Sequence, residues 1–139
     1  MKRCLEICAL MMAIYCVGYA QQRPCPTLLS ALPTWDPLYK SFTSYRSCDD
    51  GFIGENYSES VARILVDHWN TLPRLASLAR ENVLFRQFVL KHVDATLDTN
   101  DIEKIRTKTK TQCPKGLRVL CGDLGKQADG ALKDNTMPH

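Results

Sequence analysis

Two histidines with aspartates close by, Asp67-His68 and His92-Val93-Asp94, are the residues of this 139-residue chain whose types could carry chemistry. Imidazole titrates near neutrality and ligates metals, so His68 and His92 with these carboxylates could hold a cation or run an acid/base step. The spacing argues for a plainer role. Helical neighbours at i and i+1 do not face each other, and a histidine beside Trp69 or Phe88 is expected to be packed with one hydrogen bond satisfied. No HExxH, no nucleophile elbow and no glycine-rich phosphate loop occurs, and no serine or threonine has a recognisable base partner. The expectation is therefore no catalytic residue, no cofactor and no metal ligand.

The second concentration of reactive types is CDDGFIGENYSES, residues 48 to 60. Asp49, Asp50, Glu55 and Glu59 gather negative charge ahead of an apolar periodic stretch. A helix N-terminus stabilises each such charge by about 0.3 to 1 kcal/mol. The same loop, pinned at Cys48 and bent at Gly51 and Gly54, could present a preorganised acidic surface to a basic protein partner. These four residues are the candidate partner-binding set. Calcium fits less well, because Asp49-Asp50-Gly51 lacks alternating ligand spacing. Of opposite sign, Lys104, Arg106, Lys108 and Lys110 fall every second residue, which scatters them around a helix instead of lining one face for an anionic lipid or polymer.

The cysteines place the chain. MKRCLEICALMMAIYCVGYA begins with Lys2 and Arg3, continues as a short apolar run and ends on small residues suited to signal cleavage after Ala20. Cys4, Cys8 and Cys16 leave with that segment. Cys25, Cys48, Cys113 and Cys121 stay, an even number that predicts two disulfides in a periplasm or outside the cell. Zinc is the competing use of four thiols, but no Cys-x-x-Cys pair supports it. Removing Lys2, Arg3 and Glu6 from 18 basic and 15 acidic residues leaves 16 and 14, a net of +2. That balance does not suit a nucleic-acid binder. No stable membrane insertion is expected after cleavage.

The elements that must position these residues read as helices almost throughout. Leu38, Phe42 and Tyr45 recur at helical steps after Asp36, expected to cap the first turn, and Pro37, which suits the first helical position. Asn56 and Glu59 have capping-box spacing before Val61, Ile64, Leu65, His68 and Trp69, so a second helix is expected from about Asn56. Pro73 opens a third helix that breaks near Asn82. Phe85, Phe88, Val89, His92 and Val93 mark a fourth; Asn100 and Glu103 cap a fifth; and Leu117, Leu120, Cys121, Leu124, Ala128 and Ala131 mark a last one from about Lys115.

The expected architecture is all-α, a compact bundle of five or six short helices, disulfide-stapled, after a cleaved signal peptide. Its divisions are a signal at 1–20, an extended segment at 21–35, a helical domain at 36–132 and a flexible tail at 133–139. If the last helix starts near Lys115, Cys121 lies on the order of 10 Å or more along it from Cys113, too far to pair. Cys48 with Cys121 is then the preferred bond. The functional expectation is a small exported non-catalytic interaction protein, an inhibitor, an immunity-type protein or an envelope accessory protein. The alternative is an exported enzyme or metal-binding protein using His68, His92 and nearby carboxylates.

Overall fold

The computed structural model describes residues 24–27 and 32–136, and in these every regular element is helical. The six α-helices are α1 (Trp35–Tyr45), α2 (Gly51–Asp67), α3 (Leu72–Glu81), α4 (Val83–Lys91), α5 (Thr99–Thr111) and α6 (Arg118–Thr136). Short 3-10 turns at Arg46–Cys48 and Trp69–Thr71 join α1 to α2 and α2 to α3. The all-α, disulfide-stapled bundle expected from the periodicity is what the chain forms. The expected signal peptide, residues 1–20, lies outside the described residues.

Local chemistry explains most boundaries. Pro73 occupies the first turn of α3, where its missing N–H costs nothing. Asn82 separates α3 from α4, and its side-chain oxygen accepts from the N–H groups of Leu84 and Phe85. Asp98 caps α5 through Asn100 N–H, two residues before the position expected from the Asn100 and Glu103 spacing. Asp36 does not cap α1 as expected; its carboxylate is held by the Arg74 guanidinium of α3, which keeps it below the usual carboxylate range.

Two boundaries depart furthest from those expected. Helix α2 begins at Gly51, five residues ahead of the expected Asn56. Asp50 is extended, Gly51 has a positive φ of 46° that suits the missing Cβ, and Gly54 N–H already bonds to Asp50 carbonyl. Ile53 and Tyr57 then extend the stripe of Val61, Ile64 and Leu65 by one more turn at each four-residue step. Asn56 lies inside the helix, where its amide donates to Phe52 carbonyl. Helix α6 begins at Arg118, three residues after the expected Lys115, and continues through Thr136.

The core is built from one face of each helix. Leu38 and Phe42 of α1, Ile64 and Leu65 of α2, Leu72 and Leu75 of α3, Ile102 and Ile105 of α5, and Leu124 and Ala128 of α6 are all buried. Each large side chain so enclosed contributes about 1.5–3 kcal/mol relative to exposure. Between α1, α2 and α4 the packing is aromatic: Phe42 lies 5.3 Å from Phe85 and 4.9 Å from Phe88, and Tyr57 meets Phe88 edge-on at 4.9 Å. The most extensive helix–helix contact is between α5 and α6. Indole N–H groups tie the connections to the helices: Trp35 donates to Thr71 Oγ1 and Trp69 donates to Gln112 carbonyl.

Candidate functional site

At the end of that aromatic seam, the structure assembles a set of polar side chains from three places in the chain. His92, just past α4, packs 4.4 Å from the Phe88 ring and 5.7 Å from Tyr57. Its Nδ1 is 2.8 Å from Ser58 Oγ of α2, and its Nε2 is 3.1 Å from Asp49 Oδ1 in the turn before α2. Ser58 Oγ also donates to Asp94 Oδ2 at 3.1 Å, while Asp94 Oδ1 accepts from the N–H and hydroxyl of Thr96. Lys91 Nζ neutralises the other oxygen of Asp49 at 2.8 Å.

Proton bookkeeping defines the state of this array. The Ser58 hydroxyl carries one proton, so donating to Asp94 it must accept from Nδ1–H of His92. The neutral ring then turns a bare Nε2 toward Asp49 Oδ1. These two buried atoms are the ones left without a hydrogen-bond partner among the described residues. Burial pushes His92 below its ordinary value of 6.5, winning over the opposing attraction of Asp49 and reinforced by repulsion from Lys91.

Serine, histidine and aspartate in contact are the components of a nucleophilic triad, but this arrangement cannot act as one. Ser58 is 3 % exposed and His92 2 %, so no substrate carbonyl reaches Oγ, and the hydroxyl proton is already committed to Asp94. The array joins α2, α4 and the turn after Cys48. A second buried pair nearby, Ser41 Oγ with Tyr57 hydroxyl at 2.9 Å, has the same joining character between α1 and α2.

The residues singled out by sequence separate in space. His92 is packed against Phe88 as expected, whereas His68 is exposed at the C-terminal cap of α2, off the apolar stripe to which its spacing assigned it. Among the described residues no three or more His, Cys, Asp or Glu side chains converge as metal ligands. Of the acidic set, Asp49 turns inward to His92 and Lys91, Glu59 pairs with Arg63 one turn along at 2.9 Å, and Asp50 and Glu55 are exposed. In the basic run, Lys104 is held by Asp101 and Arg106 by Asp129, both at 2.9 Å.

The disulfides correct the preferred pairing. Cys25 bonds Cys48, with Cα atoms 5.5 Å apart, and Cys113 bonds Cys121, with Cα atoms 6.1 Å apart. A separation of about 10 Å or more would hold only for a helix running from Lys115. Instead Leu117 N–H turns back to Pro114 carbonyl and Gly116 takes a φ of 85°, so the chain doubles back before α6 begins. Cys121 is only in the first turn of that helix.

This tight loop forms one wall of a cleft that the sequence reading did not anticipate. About 170 Å³ in volume, it is lined by Ala76, Ala79 and Arg80 of α3, Arg86 of α4, and Gly116, Leu117, Val119 and Leu120. Val119 is 75 % exposed, and Val83 in the first turn of α4 is 61 % exposed. Arg86 is paired with Asp123 of α6. A signal was available, since Val119 falls off the buried stripe of α6. No helix among the described residues is long and apolar enough to cross a membrane. No protein-family model, no curated protein and no solved structure matches this chain.

Proposed function

We propose that this chain is a small exported interaction protein that acts through its surface and performs no chemistry of its own. The observation that carries the reading is the burial of Ser58 and His92: the constellation of reactive types closest to a catalytic one is closed off inside the bundle. The four thiols from Cys25 onward are tied into disulfides, which removes them as nucleophiles and suits an oxidising compartment. What remains unused by the fold is exterior, including Phe52, Val83, Leu84 and Val119 among exposed large apolar side chains. Inhibition of a hydrolase or toxin, or service as an accessory subunit, needs only such an exterior.

The test has two parts, run on the full chain in intact cells. Exported material should begin at Gln21 on N-terminal sequencing and contain no free thiol. A photoreactive amino acid placed in turn at Phe52, Leu84 and Val119 should then yield a discrete heavier adduct from at least one position. Native protein found in the cytosol with four reduced thiols, or exported protein giving no adduct from any position, would defeat the proposal.

A further inference from the structure

The cleft between α3, α4 and the disulfide loop combines an apolar floor with an excess of one charge. Ala76, Ala79, Leu117 and Leu120 supply the floor, and Val119 stands exposed beside it. Over the bordering segments 76–86 and 113–120 the charged residues are Arg80, Arg86, Lys115, Arg118 and a single acid, Glu81. Arg86 is answered by Asp123, and Glu81 accepts the Ser77 hydroxyl on its own helix. Arg80, Lys115 and Arg118 take part in no ion pair among the described residues. The positive end of α6 adds to the same sign. In a chain whose charges otherwise nearly balance, this asymmetry is local.

Size decides what can enter. About 170 Å³ falls below the roughly 300–1,000 Å³ of sites that enclose a small-molecule ligand, so the cleft suits a single apolar side chain. The Cys113–Cys121 bond holds the wall from Gly116 to Leu120 in place before any partner arrives, which lowers the ordering cost of docking.

We infer that the cleft docks an extended acidic segment of a partner protein, with one apolar side chain on the Ala76, Ala79, Leu117 and Leu120 floor and a neighbouring carboxylate against Arg80. This rests on the surface-acting reading above and specifies its site and the sign of its partner. The partner's charge is opposite to that expected from Asp49, Asp50, Glu55 and Glu59, two of which are occupied within the fold.

The probe is a synthetic hexapeptide with one leucine among glutamates and aspartates, titrated into the oxidised full chain and followed by backbone amide shifts. Shifts should concentrate in residues 76–86 and 114–120 and weaken with added salt. Arg80→Glu should weaken binding about tenfold and Val119→Asp about fivefold or more, the scales of a reversed rim charge and a lost apolar contact. Both side chains are exposed, and an unchanged circular dichroism spectrum shows that each variant is folded. Replacing the peptide leucine by serine should also weaken it.

No shift in those segments at millimolar peptide overturns the inference, as does equal binding of a lysine-for-glutamate peptide. Preferential binding to phosphatidylglycerol vesicles through the same residues also overturns it, by making the partner a lipid surface. If Arg80→Glu leaves a cellular adduct from Val119 intact, or if adducts form at Phe52 alone, the cleft fails while the surface-acting reading stands.

Discussion

The His92 array and the open cleft each lie against a disulfide, and the same covalent device serves opposite ends. Cys25–Cys48 ends one residue before Asp49 and so fixes the turn that carries a carboxylate onto a buried imidazole. Cys113–Cys121 instead holds a loop at the edge of α6, leaving Val119 in solvent and Leu117 half-buried. In the first region polar groups are drawn in and joined through Ser58, with His92 Nε2 and Asp49 Oδ1 left facing each other; in the second, apolar groups are left out and nothing among the described residues covers them. A bundle of this size gains stability by closing over apolar surface, so surface held open by a cross-link is the part that folding alone does not explain.

The largest separation between the regions should come from removing the cross-links one at a time. Loss of the 23-residue closure in Cys25→Ala/Cys48→Ala should cost about 3.4 kcal/mol on the chain-entropy scale, against about 2.5 kcal/mol for the eight-residue closure in Cys113→Ala/Cys121→Ala. The first pair should lose more than that difference, because Asp49 is released from Lys91 as well. Urea midpoints at constant m-value measure this. The acidic peptide should discriminate in the other direction, binding the first variant normally and the second poorly. Equal loss of peptide binding in both variants would erase the distinction drawn here.

Where the sequence was legible, the reason is local. Phe85, Phe88 and Val89 announce α4 by their spacing, Pro73 and Asn82 punctuate α3, and an even set of four cysteines announces two bonds. Helix α2 was misplaced because Asn56 and Glu59, three apart inside a helix, have the spacing of a capping box, and two glycines made Gly51–Gly54 resemble a loop. The stripe Ile53, Tyr57, Val61 was nevertheless present at four-residue steps. Of the His92 array, the packing beside Phe88 was legible and the partners Ser58 and Asp49 were not. Its contacts reach back 34 residues to Ser58 and further still to Asp49, and no period records a contact of that kind. Likewise the Cys113–Cys121 bond depends on one backbone angle, at Gly116.

Acidification should act on the buried region and spare the cleft. Because burial lowers His92, the unfolded chain takes up a proton below 6.5 that the folded chain resists. Stability is therefore complete above that value and falls as the pH drops from about 6.5 toward the lowered folded value, by at most about 1.4 kcal/mol per pH unit. Asp36, also lowered, begins to lose its contribution only below 3.8, and Tyr57, raised by burial, gives an alkaline loss above 10.0, so neither overlaps this window. His92→Gln should flatten the limb between pH 6.5 and 5 in urea unfolding. Wild-type stability that holds or rises on acidification would mean that the Asp49 and Asp94 carboxylates, not burial, govern the ring.

The smallest expected change is the most direct check on the cleft side. Val119 is the most exposed large apolar residue described, and Val119→Asp removes surface already in water, so stability should move by no more than about 0.5 kcal/mol. An aspartate there also sits in the first turn of α6, where the helix dipole offsets part of any loss. Ser58→Ala, by contrast, strands His92 Nδ1 in the interior and takes a donor from half-buried Asp94, and should cost about 1–3 kcal/mol. If thermal unfolding placed Val119→Asp alongside Ser58→Ala, Val119 would be supporting the fold, and the case for an exterior surface kept open for a partner would lose its footing.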